Sequence, residues 1–353
     1  MRLCLLLNRT EGGGAEVVGV RWAEGLAARG HDVLVLTYDD PEPAPVAGTT
    51  TIGYPAATRL RRMAGLSGWV RRAAREHDAD AAIGVMTFAN LVLLAGLSKT
   101  GIPVLLSEHN LTSNLRDEGR GGRAKDRLAQ VLYRRADAVL ACSHGVAACM
   151  NARYSVPTDR IWVVPNPAAG GGVRSVPAAV SSRLLFVGRF ADQKRPSAFV
   201  DTVLTLRERG FPVTALAIGD GHLAADVEAQ VRSTGAPVEL AGWQRAWQAL
   251  ARTGDVLVLP SLQEGFGNVL VEAAECGLRV VAVSQALGVA DAMIPGVTGV
   301  LASSGSPGHL ADAVEQAWQL PGPDPELVRR WSQRFTAQTA AEVLERVVKA
   351  VQT

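Results

Sequence analysis

Two glutamates, Glu264 and Glu272, lie eight residues apart in a segment whose pattern favours a ligand site. Glu264 follows the apolar run Val256–Leu259, which is typical of a buried parallel strand. A Gly-x-Gly turn then leads into a predicted helix, so Glu264 should lie on the loop and Glu272 a turn or two inside the helix. Both would point to the carboxyl ends of the strands, where open α/β sheets bind ligands. Two acceptors beside a helix N-terminus suit a ligand that carries hydroxyls and an anion, such as a nucleotide sugar.

Arg189 and Lys194 supply positive charge at the predicted tip of another strand. They lie five residues apart after the run Leu184–Val187, and they could clamp a diphosphate, Arg by its planar fork and Lys as a point charge. A leaving nucleoside diphosphate needs such neutralisation as its bond breaks. Taken alone, a solvated basic loop would be the better interpretation of these two residues.

Glycine-rich turns after further strands could bring backbone amides close to a ligand. Gly13 and Gly14 precede a predicted helix whose N-terminus favours an anion, although the pattern is not Gly-x-Gly-x-x-Gly. Gly219 and Asp220 belong to a Gly-Asp-Gly turn that could pack against a base or ribose. Trp243 belongs to an Ala-Gly-Trp segment after another strand, which could supply backbone contacts to a base, or it could be an ordinary packing residue.

His109 ends a predicted strand in the first half of the chain. A histidine at this position could donate to a sugar hydroxyl or stabilise developing charge. A loop histidine that caps the next helix is an equally good interpretation. His144 is a second candidate, but Ser143 as an N-cap explains that turn without chemistry. We expect Asn166 to fix an interdomain turn rather than to touch a substrate.

The elements that would position these residues alternate between strand and helix along the whole chain. Short apolar runs are separated by Ala-, Leu- and Arg-rich segments with helical spacing, which predicts an α/β protein with parallel sheets covered on both faces. The predicted strands are Leu3–Leu7, Val33–Thr37, Ala81–Val85, Val104–Glu108, Ala138–Cys142, Leu184–Val187, Thr214–Ile218, Val238–Leu240, Val256–Leu259 and Val280–Val283.

The length of 353 residues favours two domains. The Gly-, Ala-, Pro- and Ser-rich stretch Ala168–Ser182 is typical of an interdomain linker and predicts domains at 1–168 and 180–330. A long helix, about Pro325–Val351, would end the chain, and residues 331–353 would pack back on the first domain.

Composition and charge exclude several classes of protein. The net charge of +2 gives no reason to expect a nucleic-acid partner, although residues 1–176 carry 21 basic against 16 acidic residues. The four cysteines have no metal-ligand spacing and suggest buried thiols in a reducing compartment. No apolar stretch approaches the roughly 18 residues of a membrane span. We therefore expect a cytoplasmic protein, with at most a peripheral contact to the inner face of a membrane.

Two arginine-rich segments could contact anionic lipid or a polyphosphate acceptor. Solvated helix faces are the interpretation that we favour for both. The first segment contains Arg59, Arg61, Arg62, Arg71 and Arg72, and the second contains Arg116, Arg120, Arg123, Lys125 and Arg127.

With these motifs in this order, the chain resembles family 4 of the retaining glycosyltransferases, and the similarity covers essentially its whole length. The resemblance implies the GT-B fold, two facing Rossmann-like doubly wound domains with a C-terminal helix that crosses back to the first. The motifs that carry it are Gly-Gly-Ala-Glu at 13–16, Ser-Glu-His at 107–109, Val-Pro-Asn at 164–166, Gly-Arg with a following Lys at 188–194, Gly-Asp-Gly at 219–221 and Glu-x7-Glu at 264–272. The family usually has proline where this chain has Gly267, so that loop could be more flexible.

The resemblance also implies an acceptor-binding first domain and a nucleotide-sugar-binding second domain. Arg189 and Lys194 would hold the diphosphate, Glu272 would accept from the ribose hydroxyls, and Glu264 would contact the donor sugar. The implied catalytic residues are His109, Glu264, Arg189 and Lys194. The implied donor-binding residues are Gly13, Gly14, Arg189, Lys194, Gly219, Asp220, Trp243, Glu264, Gly265, Phe266, Gly267, Asn268 and Glu272.

The expected reaction transfers a hexose or N-acetylhexosamine from a nucleotide sugar, with UDP as the expected nucleotide, to a hydroxyl acceptor with retention of configuration. The acceptor would be a lipid-linked glycan, such as a polyprenyl-diphosphate-linked one, or a secondary metabolite of a high-GC bacterium. We expect no cofactor and no divalent metal, because Arg189 and Lys194 supply the positive charge.

Three other classes of function stay open at this point. A UDP-N-acetylglucosamine 2-epimerase has the same fold but needs acid–base residues that the sequence does not place. A nicotinamide-dependent oxidoreductase is disfavoured by the missing Gly-x-Gly-x-x-Gly motif. A nucleotide-sugar-binding protein without turnover would not need the full set of Arg189, Lys194, Glu264 and Glu272.

Overall fold

The computed structural model describes residues 1–55, 59–109, 119–168 and 182–352, with no description of the side chains at 59–64 and 119–120. The chain divides into two compact units, the first made of Met1–Pro167 with Arg334–Thr353 and the second of Ala168–Gln333. Most of the predicted linker, residues 169–181, lies outside the described part of the chain.

The first unit contains a parallel sheet in which the described strands follow the order β3-β2-β1-β4-β5-β6-β7. Its central strands are buried apolar runs, as parallel sheets covered on both faces require. The strands are β1 Arg2–Leu7, β2 Asp32–Thr37, β3 Thr50–Gly53, β4 Ala81–Val85, β5 Val104–Glu108, β6 Ala138–Ala141 and β7 Ile161–Val163.

Helices connect these strands and cover the sheet. They are α1 Gly14–Ala28, α2 Arg59–Glu76, α3 Thr87–Leu97, α4 Gly119–Leu132 and α5 His144–Tyr154. The hydroxyl of Ser143 accepts from the Val146 amide at 3.2 Å, which confirms the predicted N-cap of α5.

The second unit repeats the architecture with a parallel sheet in the order β10-β9-β8-β11-β12-β13. Its strands are β8 Arg183–Val187, β9 Thr214–Ile218, β10 Val238–Leu240, β11 Val256–Leu259, β12 Arg279–Val283 and β13 Gly299–Ala302. Its helices are α6 Pro196–Glu208, α7 Ala224–Thr234, α8 Asn268–Glu275, α9 Pro307–Gln319 and α10 Pro325–Ser332.

The end of the chain differs from the prediction of one long helix. α10 stops at Ser332, a short 3-10 turn follows at Gln333–Phe335, and α11 runs from Ala337 to Gln352. The break has a local cause, because the Thr336 hydroxyl accepts from the Thr339 amide at 3.2 Å and so starts a new helix. α11 belongs to the first unit and packs on α1.

The alternation of strands and helices confirms the predicted α/β class, and each sheet presents the loops after its strands at its carboxyl edge. Loops that carry the predicted site residues leave β1 and β5 in the first unit and β8, β9, β10 and β11 in the second. In the described part of the chain, no helix is long and apolar enough to span a bilayer.

Candidate functional site

The loops after β8 and β9 are held together by close backbone contacts. The amide of Phe190 donates to the carbonyl of Asp220 at 2.8 Å. Gly219 lies so close to its neighbour that a Cβ atom there would be 1.9 Å from the carbonyl oxygen of Gly188. Any other residue at 219 would therefore push the two loops apart. The Gly-Asp-Gly turn thus fixes the loop that carries Arg189 and Lys194.

Lys194 and Glu264 contact each other, although the sequence predicts a ligand contact for each of them. The Lys194 ammonium lies 2.6 Å from Oε1 of Glu264. The Glu264 side chain is only 6% exposed and that of Lys194 is 23% exposed. An ammonium carries three donors, so Lys194 can hold this carboxylate and still donate to an anion.

The main chains of the same two loops are also joined. The amide of Leu262 donates to the carbonyl of Gln193 at 2.9 Å, and the Gln193 side-chain amide donates to the carbonyl of Gln263 at 2.7 Å. These bonds fix the separation between the tips of β8 and β11. The position of the Lys194–Glu264 pair is therefore fixed by these two hydrogen bonds between its loops.

Arg189 occupies the same loop as Lys194 but is exposed. Among the described residues, no carboxylate forms an ion pair with it. Its guanidinium is thus available for an anion above the loop, which suits the bidentate binding of a phosphate.

The turn after Glu264 depends on Gly267, which has φ +93° and forms the N-cap of α8. Phe266 is 2% exposed and anchors the turn. Gly265 packs against Gly288, and a Cβ atom at position 288 would lie 2.2 Å from the carbonyl oxygen of Gly265. Asn268 is the first residue of α8. The buried turn places the backbone between Glu264 and Asn268 in one defined conformation.

Glu272 is the fifth residue of α8, a little more than one turn inside the helix, as predicted. Its Oε2 atom accepts from Nε1 of Trp247 at 2.8 Å and from Nε2 of Gln248 at 3.4 Å. Neither contact was foreseen from the sequence. Trp243, which was the predicted base contact, is 68% exposed in the loop after β10.

In the first unit, His109 is 7% exposed and both of its ring nitrogens have partners. Nδ1 lies 3.1 Å from Oδ1 of Asn166, and Nε2 lies 2.7 Å from the Ser107 hydroxyl. With Oδ1 as an acceptor, Nδ1 carries the proton and Nε2 accepts from Ser107. Burial lowers the pKa of His109 to about 4, although the bond to Asn166 opposes this shift, so the ring is neutral at neutral pH.

Beside His109 lies a buried carboxyl group, that of Glu108, which is not among the predicted site residues. Oε1 of Glu108 accepts from Thr87 at 3.0 Å, from Asn90 at 3.1 Å and from the Tyr133 hydroxyl. Burial raises the pKa of Glu108 to about 7, while these hydrogen bonds act in the opposite direction. The Ser-Glu-His motif contained the signal, because a glutamate within an otherwise apolar strand needs buried partners.

The helix N-terminus predicted at Gly13 and Gly14 is present. Gly13 is the N-cap of α1 and, as a glycine, has no side chain to cap the helix; Gly14 is the first helical residue and is exposed. Trp22 of the same helix packs against the ring of His109 with 5.5 Å between ring centroids. α1 thus connects the glycine-rich turn to the histidine.

Those arginines of the two predicted basic segments that the structure describes lie apart from the site residues above. Arg71 donates to the carbonyl of Gly96 at 2.6 Å and so has a structural contact, while Arg72 is exposed. The side chains of Arg59, Arg61, Arg62 and Arg120, and all of Arg116, lie outside the described part of the chain.

An Asp-x-Asp sequence at 78–80 lies at the amino end of β4, on the opposite edge of the sheet from the predicted site residues. Arg2 contacts both carboxylates, through its side chain to Asp78 at 2.6 Å and through its amide to Asp80 at 2.7 Å. These aspartates therefore join the start of β1 to the start of β4.

The two halves of the chain match two family models. Residues 12–168 match Glycosyltransferase Family 4, and residues 181–319 match Glycosyl transferases group 1.

Curated relatives carry related names. A D-inositol 3-phosphate glycosyltransferase of Arthrobacter sp. is 32% identical over 50% of this chain and 46% of its own length. An alpha-1,4-N-acetyl-D-galactosaminyltransferase of Campylobacter jejuni, named for an undecaprenol-PP-linked glycan, is 26% identical over 77% of this chain and 76% of its own. The chain spans about half the length of the first relatives that it matches.

Solved structures show the same fold. The structure of Anabaena Alr3699/HepE in complex with UDP and glucose has a TM-score of 0.76 and 19% identity, and the match covers 99% of this chain and 100% of that chain. Because the two family models follow one another along most of the sequence, this chain belongs to the glycosyltransferases of family 4 and has the GT-B fold.

Proposed function

We propose that this chain transfers a hexose or N-acetylhexosamine from a UDP-sugar to a hydroxyl group of an acceptor, with retention of anomeric configuration. The observation that carries this proposal is the arrangement at the carboxyl edge of the second sheet. This edge carries the Lys194–Glu264 pair, the exposed Arg189 and the half-buried Glu272. The first three residues lie on the loops after β8 and β11, and Glu272 lies on α8.

Each group has a part that its chemistry suits. Arg189 and Lys194 neutralise the diphosphate as it leaves, and no divalent metal is needed for this charge. Glu264 accepts from hydroxyls of the transferred sugar while Lys194 holds its carboxylate in place. Glu272 accepts from the ribose.

Retention fits a same-face substitution. The C1–O bond to the diphosphate breaks, the acceptor oxygen forms its bond on the same face, and the acceptor proton passes to the leaving phosphate oxygen. Because the Glu264 carboxylate is paired with Lys194, we assign it to binding the sugar and not to attack on C1. His109 is neutral and uses both ring nitrogens on Asn166 and Ser107, so we assign it no hydrogen bond to either substrate in this reaction.

The acceptor class that we propose is a polyprenyl-diphosphate-linked glycan. The support is a relative whose name includes an undecaprenol-PP-linked glycan. A peripheral membrane contact through the exposed Arg72 and its neighbours on α2 would bring the enzyme to such an acceptor. A secondary metabolite is the other acceptor class that the test includes.

The experiment is a thermal-shift panel of nucleotides and nucleotide sugars, followed by product analysis with the donor that stabilises the protein. A shift with UDP and one UDP-sugar, lost in Lys194→Ala and Glu272→Ala, is expected. The coupling constant of the anomeric proton in the product then reports retention or inversion. Release of an epimerised sugar without acceptor would identify the chain as an epimerase, and no shift with any nucleotide would overturn the proposal.

A further inference from the structure

Trp247 links two segments that the sequence keeps apart. It begins a 3-10 turn, Trp247–Leu250, in the connection between β10 and β11. Its ring is 4% exposed, and its Nε1 atom donates to Oε2 of Glu272 on α8 at 2.8 Å. Gln248 approaches the same oxygen at 3.4 Å. The connection and the helix are thus joined at the carboxylate that we propose binds the ribose.

The hydrogen bond from Trp247 restricts the orientation of the Glu272 carboxylate. A glutamate side chain has three rotatable bonds, so a half-buried one samples several orientations unless a partner selects one. The buried indole has little freedom of its own and fixes the position of Oε2. A carboxylate has about four acceptor positions, so that it can accept from an indole and from vicinal hydroxyls at once.

We infer that Trp247 is a positioning residue whose indole N–H orients Glu272 toward the ribose hydroxyls, and that it thereby sets the preference for ribonucleotide over 2′-deoxyribonucleotide donors. The inference rests on the proposed function, since it requires a nucleotide at this site. A donor that lacks the 2′-hydroxyl would leave the oriented carboxylate without one of its partners, and such a loss is costly at a partly buried charge.

The same loop carries a second tryptophan with a different environment. Trp243 is 68% exposed, whereas Trp247 is buried, so only Trp247 can hold another side chain inside the protein. A contact of Trp243 with the base would raise affinity for ribo- and deoxyribonucleotides alike. The discrimination between the two sugars therefore separates the role of Trp247 from general binding by this loop.

The chain also offers a matched control. Trp318 on α9 packs against Phe211 with 5.2 Å between ring centroids. Within the described residues, its Nε1 atom is buried and has no hydrogen-bond partner. Trp318→Phe therefore removes an indole N–H from the same unit without removing a hydrogen bond.

The test measures the dissociation constants of UDP and 2′-deoxy-UDP by calorimetry for the full chain and its variants. The wild type is expected to bind UDP roughly tenfold or more tightly than the deoxy compound. Trp247→Phe, which keeps a six-membered aromatic ring but removes the N–H, should reduce this ratio to about twofold, mainly by weakening the binding of UDP. Trp318→Phe should keep the wild-type ratio.

Kinetics with the UDP-sugar provide an independent readout. Trp247→Phe is expected to raise KM while kcat changes by less than about twofold, because the ribose contact is made equally in the ground state and the transition state. In the double variant with Glu272→Gln, the Trp247→Phe change should have little further effect on the UDP ratio. If Trp247→Phe does not fold, Gln248→Leu tests the same oxygen and should reduce the ratio by about twofold.

The outcomes that would overturn the inference are specific. An equal loss of affinity for UDP and 2′-deoxy-UDP in Trp247→Phe would show a merely structural tryptophan. A wild-type protein with no preference between the two would also overturn it, as would an unchanged ratio in a folded Trp247→Phe or, where that variant does not fold, in Gln248→Leu. A wild type that binds no nucleotide at all would instead overturn the proposed function.

Discussion

Lys194 and Glu264 form an ion pair between the loops that follow β8 and β11, with 2.6 Å between Nζ and Oε1. The two residues are 70 positions apart in the sequence. Glu264 is almost fully buried, and Lys194 is the cation that compensates its carboxylate. The pair therefore has a role in the stability of the second unit as well as in binding.

The first prediction concerns this pair. Lys194→Met leaves a buried carboxylate without its cation and should lower the free energy of unfolding by about 1–3 kcal/mol. The same change should lower kcat/KM at least about a hundredfold, because a charge on the leaving diphosphate loses its partner. Urea unfolding and donor turnover measure the two effects.

The double variant Lys194→Met/Glu264→Gln is the control. It removes both charges, so it should recover most of the lost stability while activity stays low. Equal stability of the wild type and Lys194→Met would show that the ion pair contributes nothing to folding.

The second prediction uses Glu108, whose pKa burial raises to about 7 from its ordinary 4.5. The folded protein holds this proton up to about pH 7, whereas the unfolded chain releases it near 4.5. The contribution of Glu108 to stability is therefore fully present below pH 4.5 and is lost as the pH rises through 7, at about 1.4 kcal/mol per unit of pKa difference.

Glu108→Gln keeps an oxygen that can accept from Thr87, Asn90 and Tyr133 but does not titrate. Its free energy of unfolding should fall less than that of the wild type between pH 5 and pH 8. Chemical denaturation at both pH values measures the difference. Parallel pH curves for the two proteins would contradict a raised pKa at Glu108.

The third prediction has the opposite sign and concerns His109. Burial lowers its pKa to about 4 from 6.5. Between about pH 4 and pH 6.5, His109 is therefore protonated in the unfolded chain and neutral in the folded protein. Stability from the neutral ring is fully present above pH 6.5 and is lost as the pH falls through about 4. His109→Gln should reduce this acid-induced loss in urea unfolding curves recorded from pH 7 to pH 4.

The wild-type curve alone would not separate the two groups, because Glu108 and His109 act in opposite directions between about pH 4.5 and pH 6.5. The comparison with each variant isolates one group. A His109→Gln protein that loses as much stability as the wild type toward pH 4 would show that His109 does not titrate at a lowered pKa.

Much of the fold follows from local sequence. The predicted strands that lie in long buried runs are present within a residue or so of their expected bounds, because a continuous apolar run fits only a sheet covered on both faces. The strands that were not predicted are short or lie at sheet edges: β3, β7 and β13 have three or four residues each. Such strands form because a neighbouring strand offers hydrogen bonds, and no local pattern reveals that neighbour.

In the candidate site, too, some features follow from local sequence and others depend on contacts between distant segments. Glu264 on the loop and Glu272 one turn into its helix follow from the spacing of glycines and apolar residues. The bonds from Lys194 to Glu264 and from Trp247 to Glu272 join segments 70 and 25 residues apart. They depend on which strands lie side by side, and the order of strands in a sheet is a property of the whole fold.

The last prediction concerns the packing of α11 on α1. A Cβ atom at Gly25 would lie 2.6 Å from the carbonyl oxygen of Ala337 and 3.3 Å from the Cβ of Ala341. The nearest atom belongs to the backbone, so the helices would have to separate. Gly25→Ala should therefore lower the free energy of unfolding by about 1–3 kcal/mol, although alanine is the better helix former.

Gly68 on α2 provides the opposite case. It is exposed, and an added Cβ there meets no atom within 4 Å. Gly68→Ala should thus raise the free energy of unfolding by about 0.5–1 kcal/mol through helix propensity alone. Urea unfolding of both variants measures the contrast directly. If Gly25→Ala were as stabilising as Gly68→Ala, α11 could not lie against α1 at this distance, and the terminal helix would be attached to the first unit by its other contacts, chiefly the buried side chains of Leu344, Val347 and Val348.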